Sequence, residues 1–312
     1  MKLSVQRMLK EKGDTFELTL LSGSDGLDKL ITQSELHRPG LAFAGFLDIF
    51  TYDRIQIVGN TEIQYLNSLP PEERRGRIEA ICRFRIPCII ITASNDAPRE
   101  MMECAAMHKI PLLSTSHETS RFTAMLSFWL EREFAPVMCT HGVFVDIFGE
   151  GVLITGGSGI GKSECGLELI ERGHRLVSDD VVLLRRLGRN ILMGGPIGND
   201  HHHMEVRGLG IIDVELLFGI GAVREEKRVS LTVDLNRWTD DTVVDRLGID
   251  PQYATFLDVP IRQFKIPVES GRNVAILIEV ATLQYRIMER GINPAEELNK
   301  RLIEKMTQKG SG

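Results

Sequence analysis

Eight residues near the middle of the chain constrain its fold more than any other segment. Residues 156–163 read Gly-Gly-Ser-Gly-Ile-Gly-Lys-Ser and fit the pattern G-x-x-x-x-G-K-[ST] at every fixed position. An apolar run at residues 151–155 precedes them, and a helical pattern at residues 162–172 follows. A phosphate-binding loop needs this placement between a strand and a helix. The sequence therefore predicts a nucleotide-binding P-loop domain.

Each residue type in this loop has a part in binding phosphate. Glycines let backbone N–H groups converge on phosphate oxygens, and the start of the following helix adds positive potential. The lysine is expected to meet the β and γ phosphates, and the final hydroxyl to bind Mg²⁺. The predicted nucleotide-binding residues are Gly156, Gly157, Ser158, Gly159, Ile160, Gly161, Lys162 and Ser163.

Two adjacent carboxylates, Asp179 and Asp180, follow the strand predicted at residues 176–178. In open α/β sheets, ligands bind beyond the ends of the strands, so we expect at least one of the two beside the phosphates. A carboxylate there can accept the proton of an attacking hydroxyl or assist a metal ion. The alternative is a turn or cap role, which Asp commonly has.

Further polar residues are candidates for the same site. His141 precedes the two strands that lead into the loop, where it would reach Asp180 or the γ-phosphate, although a strand-edge histidine is often structural. The polar, Gly-containing run at residues 199–213 is interpreted as a loop that enters the site. Glu205, within it, suits Mg²⁺. Residues 201–203 are all histidine, but three adjacent side chains cannot all face one ion from a regular strand, so we predict no transition-metal site there.

Composition and charge exclude several classes of partner. With 37 Lys and Arg against 43 Asp and Glu, the net charge is −6, which lacks the basic excess of nucleic-acid-binding proteins. No uncharged apolar run approaches the ~18 residues of a membrane-spanning helix. The five cysteines form no CxxC pair and indicate free thiols in a reducing compartment. We therefore expect a cytoplasmic protein that binds neither nucleic acid nor membrane.

The pattern along the chain predicts two α/β domains. In the first, at residues 1–132, short apolar runs alternate with helical stretches, which predicts a largely parallel sheet for recognition or assembly. Residues 131–138, with a proline inside, are interpreted as the boundary. The second domain, at residues 133–312, ends in two predicted helices, the later starting at residue 293. Its predicted strands lie at residues 143–149, 151–155, 176–178, 181–185, 191–193, 229–235 and 263–268.

Together these motifs resemble the HPr kinase/phosphorylase family. The resemblance rests on His141 with residues 156–164, on residues 178–180, on residues 204–213, which resemble the family signature, and on residues 267–272. It covers both halves of the chain and implies a small N-terminal α/β domain followed by a C-terminal P-loop kinase domain similar to phosphoenolpyruvate carboxykinase. The histidines at 201–203 are a departure from the family pattern.

The resemblance also implies an activity. The family transfers phosphate from ATP or pyrophosphate to a seryl hydroxyl of the phosphocarrier protein HPr. It reverses this with inorganic phosphate, releasing pyrophosphate, and so controls carbon catabolite repression. A homohexamer is implied as well. By resemblance, the catalytic residues are His141, Lys162, Asp180 and Arg246, and Mg²⁺ is bound by Ser163 and Glu205. The segment at residues 267–272 is implicated in the reverse reaction.

Two other readings of the P-loop stay open. A phosphate cradle does not by itself distinguish a donor from a switch or from hydrolysis. One alternative is a small-molecule kinase of the carboxykinase type. The other is a nucleotide switch that binds ATP without turnover and signals through the N-terminal domain.

Overall fold

The computed structural model describes residues 3–198, 202–237, 251–269 and 271–292. By internal contacts the chain divides into two units, Met1–Phe134 and Ala135–Gly312. Arg246 and the helix predicted from residue 293 lie outside the described residues. The predicted two-domain α/β fold is confirmed, with mixed helices and sheets in each unit.

The first unit contains a five-stranded sheet with helices on both faces. The strands of this unit are β1 (Leu3–Ser4), β2 (Thr19–Ser22), β3 (Leu30–Ile31), β4 (Leu36–His37), β5 (Ile55–Val58), β6 (Ile89–Ile91) and β7 (Leu112–Ser114). Strands β1 and β3 pair with each other outside the five-stranded sheet. Its helices are α1 (Val5–Lys12), α2 (Gly40–Phe43), α3 (Asn60–Ser68), α4 (Pro71–Cys82), α5 (Arg99–Met107) and α6 (Thr119–Phe134). The sheet order is β2-β7-β6-β5-β4, and all neighbours are parallel except β2 and β7.

Alternation along the central strands explains why helices cover both faces of this sheet. Successive strand residues point to opposite faces. Val58 and Ile91 therefore pack with α2 to α5, whereas Ile57 and Ile90 pack with α1 and α6. These strands are apolar on both faces because both faces are buried, as is typical of parallel sheets.

The second unit is built on a nine-stranded sheet. The first six strands of this unit are β8 (Val137–His141), β9 (Val143–Ile147), β10 (Glu150–Gly156), β11 (Arg175–Ser178), β12 (Val181–Leu187) and β13 (Ile191–Gly195). They are followed by β14 (His203–Val206), β15 (Gly210–Asp213), β16 (Lys227–Arg237), β17 (Gln252–Phe256) and β18 (Val259–Val268). Its helices are α7 (Lys162–Glu171), α8 (Val214–Phe218) and α9 (Val274–Met288). All seven strands predicted for this domain are present.

Strand β16 is the centre of this sheet. The path β11-β9-β10-β16-β13-β12-β8 runs through it, and β18, which carries β17, pairs with it as well. Residues 229–235 pair in parallel with β10, and residues 231–237 pair in parallel with β18. At its start, Lys227 and Arg228 pair with β13 in the antiparallel sense. Two parallel neighbours thus bring the ends of β10 and β18 to the same edge.

Helices α7 and α9 cover one face of this sheet. Leu169 and Ile170 of α7 and Ile278 of α9 are buried in one cluster with Ile154 and Val233 of the central strands. The start of α7 is thereby fixed against the end of β10. No helix among the described residues is long and apolar enough to cross a membrane.

The division between the two units, after Phe134, falls within residues 131–138, which comprise the end of α6 and the start of β8. One part of the predicted organisation was wrong in detail. The run interpreted as a loop forms an antiparallel hairpin of β14 and β15, in which Met204 and Val206 are buried. Both strands are short, so only a few alternating residues signal them.

Candidate active site

The segment Gly156 to Ser163 joins β10 to α7 in the manner predicted. Three of its glycines have positive φ: 144° at Gly156, 72° at Gly159 and 99° at Gly161. A Cβ atom added at Gly156 would lie 2.5 Å from the carbonyl oxygen of Leu235 in β16. Because side chains other than hydrogen fit neither the dihedrals nor this contact, glycine is required there.

Lys162 lies folded over this loop. Its Nζ atom donates hydrogen bonds to the carbonyl oxygens of Gly156 at 3.0 Å and Gly157 at 3.2 Å. The ammonium group is therefore held against the backbone turn that would surround a phosphate chain. In this position the lysine ammonium can neutralise the charge of the β and γ phosphates.

Asp179 connects three parts of the site. Its Oδ1 accepts a hydrogen bond from the Ser163 hydroxyl at 3.1 Å, and its Oδ2 accepts one from the backbone N–H of Glu205 at 3.3 Å. Burial raises the pKa of the Asp179 carboxyl, and these hydrogen bonds oppose the rise. The sequence pointed to the Asp179 and Asp180 pair, but not to Asp179 as the residue that touches Ser163. Its position directly after β11 was the available signal.

Asp180 has the opposite environment. Its side chain is 80% exposed, and Oδ1 lies 3.6 Å from Nδ1 of His141, which is 81% exposed. Its φ of 62° turns the chain between β11 and β12. His141 ends β8 and is the register partner of Val181, which brings it beside Asp180. The structure thus places the two predicted catalytic residues together at the surface.

The β14–β15 hairpin brings two more side chains to the loop. Glu205 is held at the site by the hydrogen bond that its backbone N–H donates to Asp179. Arg207 lies over the loop, since a Cβ atom added at Gly159 would be 3.0 Å from its Nη2 atom. Arg207 was not singled out from the sequence. A basic residue in the signature run, two positions after Glu205, was the only signal.

The neighbouring histidines have carboxylate partners within the same region. Nδ1 of His202 lies 2.9 Å from Glu215 of α8, and Nε2 of His203 lies 3.8 Å from Asp213. Among the described residues, no group of three or more His, Cys, Asp and Glu is arranged to hold a metal ion. Side chains of this protein therefore do not enclose an ion by themselves in the described part of the chain.

The donors that converge near the loop fit one kind of metal. The Ser163 hydroxyl and the Asp179 carboxylate are in contact, and Glu205 is attached to the same carboxylate through its backbone. These are hard oxygen donors, and they are few. Mg²⁺ is usually bound by one or two carboxylates together with water and substrate phosphates, so the donor set suits it.

The predicted residues therefore form two adjoining groups. Lys162 and Ser163 belong to the loop with Asp179 and Glu205, while His141 and Asp180 lie together at the exposed strand ends. Arg272, in the segment at residues 267–272 that the resemblance implicates in the reverse reaction, lies 3.6 Å from Glu269. The arrangement combines an anion cradle, oxygen donors for a divalent cation and an accessible base, which is the equipment for phosphoryl transfer.

Comparison with known proteins gives matches along nearly the whole chain. A family model described as HPr Serine kinase N terminus matches residues 3–130, and one described as HPr Serine kinase C-terminal domain matches residues 132–302. Relatives named HPr kinase/phosphorylase from Bacillus cereus (strain B4264) and Bacillus anthracis (strain A0248) are each 42% identical over 294 residues. The match covers 94% of this chain and 95% of each relative.

A solved structure also matches. It is that of the Hpr(Ser) kinase/phosphatase from Coxiella burnetii, which is 35% identical. The match covers 49% of this chain and 99% of that one, with a TM-score of 0.44.

Proposed function

The chain belongs to the HPr serine kinase family, and from this premise we propose that it phosphorylates a seryl hydroxyl of HPr and reverses that reaction by phosphorolysis. ATP or pyrophosphate is the donor in the forward direction. Inorganic phosphate accepts the group in the reverse direction, and pyrophosphate leaves. The observation that carries the proposal is the exposed pair of Asp180 and His141 beside the phosphate loop.

Exposure of the base favours a protein substrate over a small molecule. Enzymes that act on small molecules commonly bind them in clefts that bury most of the ligand surface. Here the carboxylate of Asp180 is 80% exposed, so a seryl hydroxyl on the surface of another protein can approach it without entering a cavity. The small-molecule kinase alternative lacks such support.

In the forward direction, Asp180 accepts the proton of the seryl hydroxyl as its oxygen attacks the terminal phosphorus. His141, 3.6 Å from that carboxylate, positions it. Lys162 neutralises charge on the phosphates from the floor of the loop. In reverse, Asp180 returns the proton to the seryl oxygen while a phosphate oxygen attacks the seryl phosphate, as microscopic reversibility requires. One set of residues thereby serves both reactions.

Mg²⁺ would be held by Ser163 and Glu205, with Asp179 in contact with the Ser163 hydroxyl. The ion supplies neutralisation of charge on the transferring phosphates. Asp179 orients that hydroxyl through its 3.1 Å hydrogen bond, and it fixes the Glu205 backbone at the same time. Arg246 is retained as a catalytic residue on family resemblance.

We also propose a homohexamer in the cytoplasm, with HPr as its protein partner and carbon catabolite repression as the process it controls. Large exposed apolar side chains on the hairpin, on α8 and in the turn after α8 support self-association, because monomers seldom expose such surface without a partner. They are Leu209, Ile211, Leu216, Leu217 and Ile220. Sedimentation equilibrium tests the assembly, and a monomer at micromolar concentration would contradict it.

The function is tested by the intact mass of HPr. Incubation with this protein, Mg²⁺ and ATP is expected to add one phosphoryl group to a serine. Removal of ATP and addition of inorganic phosphate should then remove that group and release pyrophosphate. Active, ATP-binding protein that leaves the mass of HPr unchanged would refute the proposal and favour the small-molecule kinase or the switch.

Replacing Glu205 by Gln is expected to raise the Mg²⁺ concentration that gives half-maximal transfer by about ten-fold, because a charged oxygen ligand is lost. The measurement is a Mg²⁺ titration at saturating nucleotide. Glu171→Gln is the control, since Glu171 is the last residue of α7, at the end away from the loop, and is exposed. Equal Mg²⁺ dependence in the Glu205 variant and the wild type would remove Glu205 from the metal site.

A further inference from the structure

A cavity of about 390 Å³ lies at the opposite end of α7 from the phosphate loop. It is lined by the end of β9, the turn that follows it, the α7–β11 connection and Arg224. Helix α7 has ten residues, so its two ends are roughly 15 Å apart at 1.5 Å per residue. The mechanism proposed for the phosphate loop uses none of the residues in this cavity.

Arginines surround this cavity from three sides. Arg172 follows the last residue of α7, Arg175 begins β11, and Arg224 lies in the segment before β16. Arg172 is bound by Glu279 of α9 at 2.6 Å, and Arg224 is bound by the buried Asp146 at 2.8 Å. Arg175 is exposed, and within the described ranges no carboxylate forms an ion pair with it.

The local charge is positive even after these ion pairs are counted. The lining residues and their ion-pair partners include four cations, since Lys227 also binds Asp146 at 3.2 Å. They include only two carboxylates, those of Asp146 and Glu279. Four cations and two carboxylates leave a net formal charge of +2, because Arg224 and Lys227 share Asp146 and no carboxylate among the described residues pairs with Arg175. A compact ligand with two negative charges would neutralise this cluster.

An apolar wall adds room for an organic group. The ring of Phe148 is 44% exposed and packs edge-to-face on His174, with centroids 4.8 Å apart. Both residues line the cavity, whose volume falls in the range of small-molecule sites. Arginine forks match the planar geometry of carboxylate and phosphate groups. We propose that this cavity binds a small organic dianion, carrying phosphate or carboxylate groups, through Arg172, Arg175 and Arg224.

Such a ligand would compete with Glu279 for Arg172. Arg172 is bidentate to Glu279, and its hydrogen bond holds the pKa of that carboxyl below its usual value, so Glu279 is ionised near neutral pH. This ion pair joins the end of α7 to α9. A second contact, between Asn273 at the start of α9 and Glu168 of α7, joins them again.

Through α7 and α9, the cavity is linked to the phosphate loop and to residues 267–272. Helix α7 starts in the phosphate loop, and α9 follows residues 267–272, the segment implicated in phosphorolysis. An anion that takes Arg172 from Glu279 would loosen α9 from α7. The binding itself does not depend on the proposed activity, so the two can fail separately.

Binding is tested by titration calorimetry on the full chain with two probes, 2-phosphoglycolate and malonate, which also tells phosphate from carboxylate ligands. Arg175→Gln is expected to weaken binding of the preferred probe about ten-fold, because a charge-assisted hydrogen bond is lost. Glu279→Gln should strengthen it about three-fold, since the competing charge is removed. Arg189→Gln, an equal charge change on the exposed β12–β13 turn, should leave it unchanged.

Three results would overturn the proposal. The first is that neither probe binds at millimolar concentration. The second is equal weakening by the Arg175 and Arg189 variants, which would indicate general charge screening. The third is complete displacement of the probe by a saturating non-hydrolysable ATP analogue with Mg²⁺, which would locate it in the phosphate loop. If Arg175→Gln fails to fold, the opposite sign expected for Glu279→Gln still decides the question.

Discussion

Asp180→Asn is expected to lower phosphoryl transfer to HPr by about 10²–10⁴-fold, with the affinity for nucleotide retained. The amide cannot take the proton of the attacking hydroxyl. Since Asp180 is exposed and makes no hydrogen bond to Ser163 or to the loop, the cradle for the phosphates should stay intact. Phosphorolysis should fall by a similar factor, because the same group returns the proton in reverse.

The measurement is the single-turnover rate in both directions, with nucleotide binding followed by calorimetry. Asp258→Asn is a matched control. Asp258 lies in the β17–β18 turn, has the same φ of 62° and is 90% exposed, but it pairs with Arg186 of β12. Full transfer by the Asp180 variant would show that another group is the base. Loss in the forward direction alone would refute the shared role.

Lys162→Ala is expected to lower transfer by about 10²–10³-fold, the usual cost of removing one group that stabilises transition-state charge. The ammonium of Lys162 is held 3.0 Å from the carbonyl oxygen of Gly156, and no other lysine is described at the loop. The loss should appear with ATP and with pyrophosphate alike, because both donors place phosphates in the same cradle.

Steady-state rates with each donor measure this effect. Lys10→Ala, on the exposed side of α1, is the control for the loss of one surface lysine. Circular dichroism should show the variant folded, since the hydrogen bonds of the Lys162 ammonium are to exposed or part-buried carbonyls of the loop and not to the core. Unchanged rates in the Lys162 variant would remove the loop from the mechanism.

The phosphate loop could be predicted from sequence because its requirements are local. Glycines with positive φ, a lysine and a hydroxyl follow one another within eight residues, and the flanking strand and helix carry their own patterns. The strands that lead into it were predicted for the same reason. Such signals do not depend on residues that are distant in the chain.

The division of roles between Asp179 and Asp180 could not be predicted in this way. Two consecutive residues of one type differ only in what the fold places around them. Asp179 is drawn inward by Ser163 and Glu205, while a positive φ and the pairing of β8 with β12 leave Asp180 at the surface. The hydrogen bonds of Asp179 and the pairing of β8 with β12 join chain segments that are apart in sequence.

The hairpin of β14 and β15 escaped prediction for a related reason. Leu209 and Ile211 are exposed apolar residues, so the hairpin lacks a clear alternation of polar and apolar residues. Met204 and Val206 pack inward, against the core cluster that contains Leu169 and Ile170 of α7. The contacts of Glu205 and Arg207 exist because this packing holds the hairpin over the loop. Tertiary contacts of this kind override a local pattern that resembles a loop.

The parallel pairing of β10 with β16 determines how late in synthesis the domain can fold. Residues 150–156 pair with a strand at residues 227–237, so the strand that carries the phosphate loop has its central neighbour only after most of the domain has been made. Closing such a long segment is slow compared with local structure. On the ribosome, the first unit, whose pairings lie within residues 3–114, can fold before the nucleotide cradle exists. A nascent chain released before β16 would therefore carry the complete phosphate-loop sequence without the sheet that shapes it.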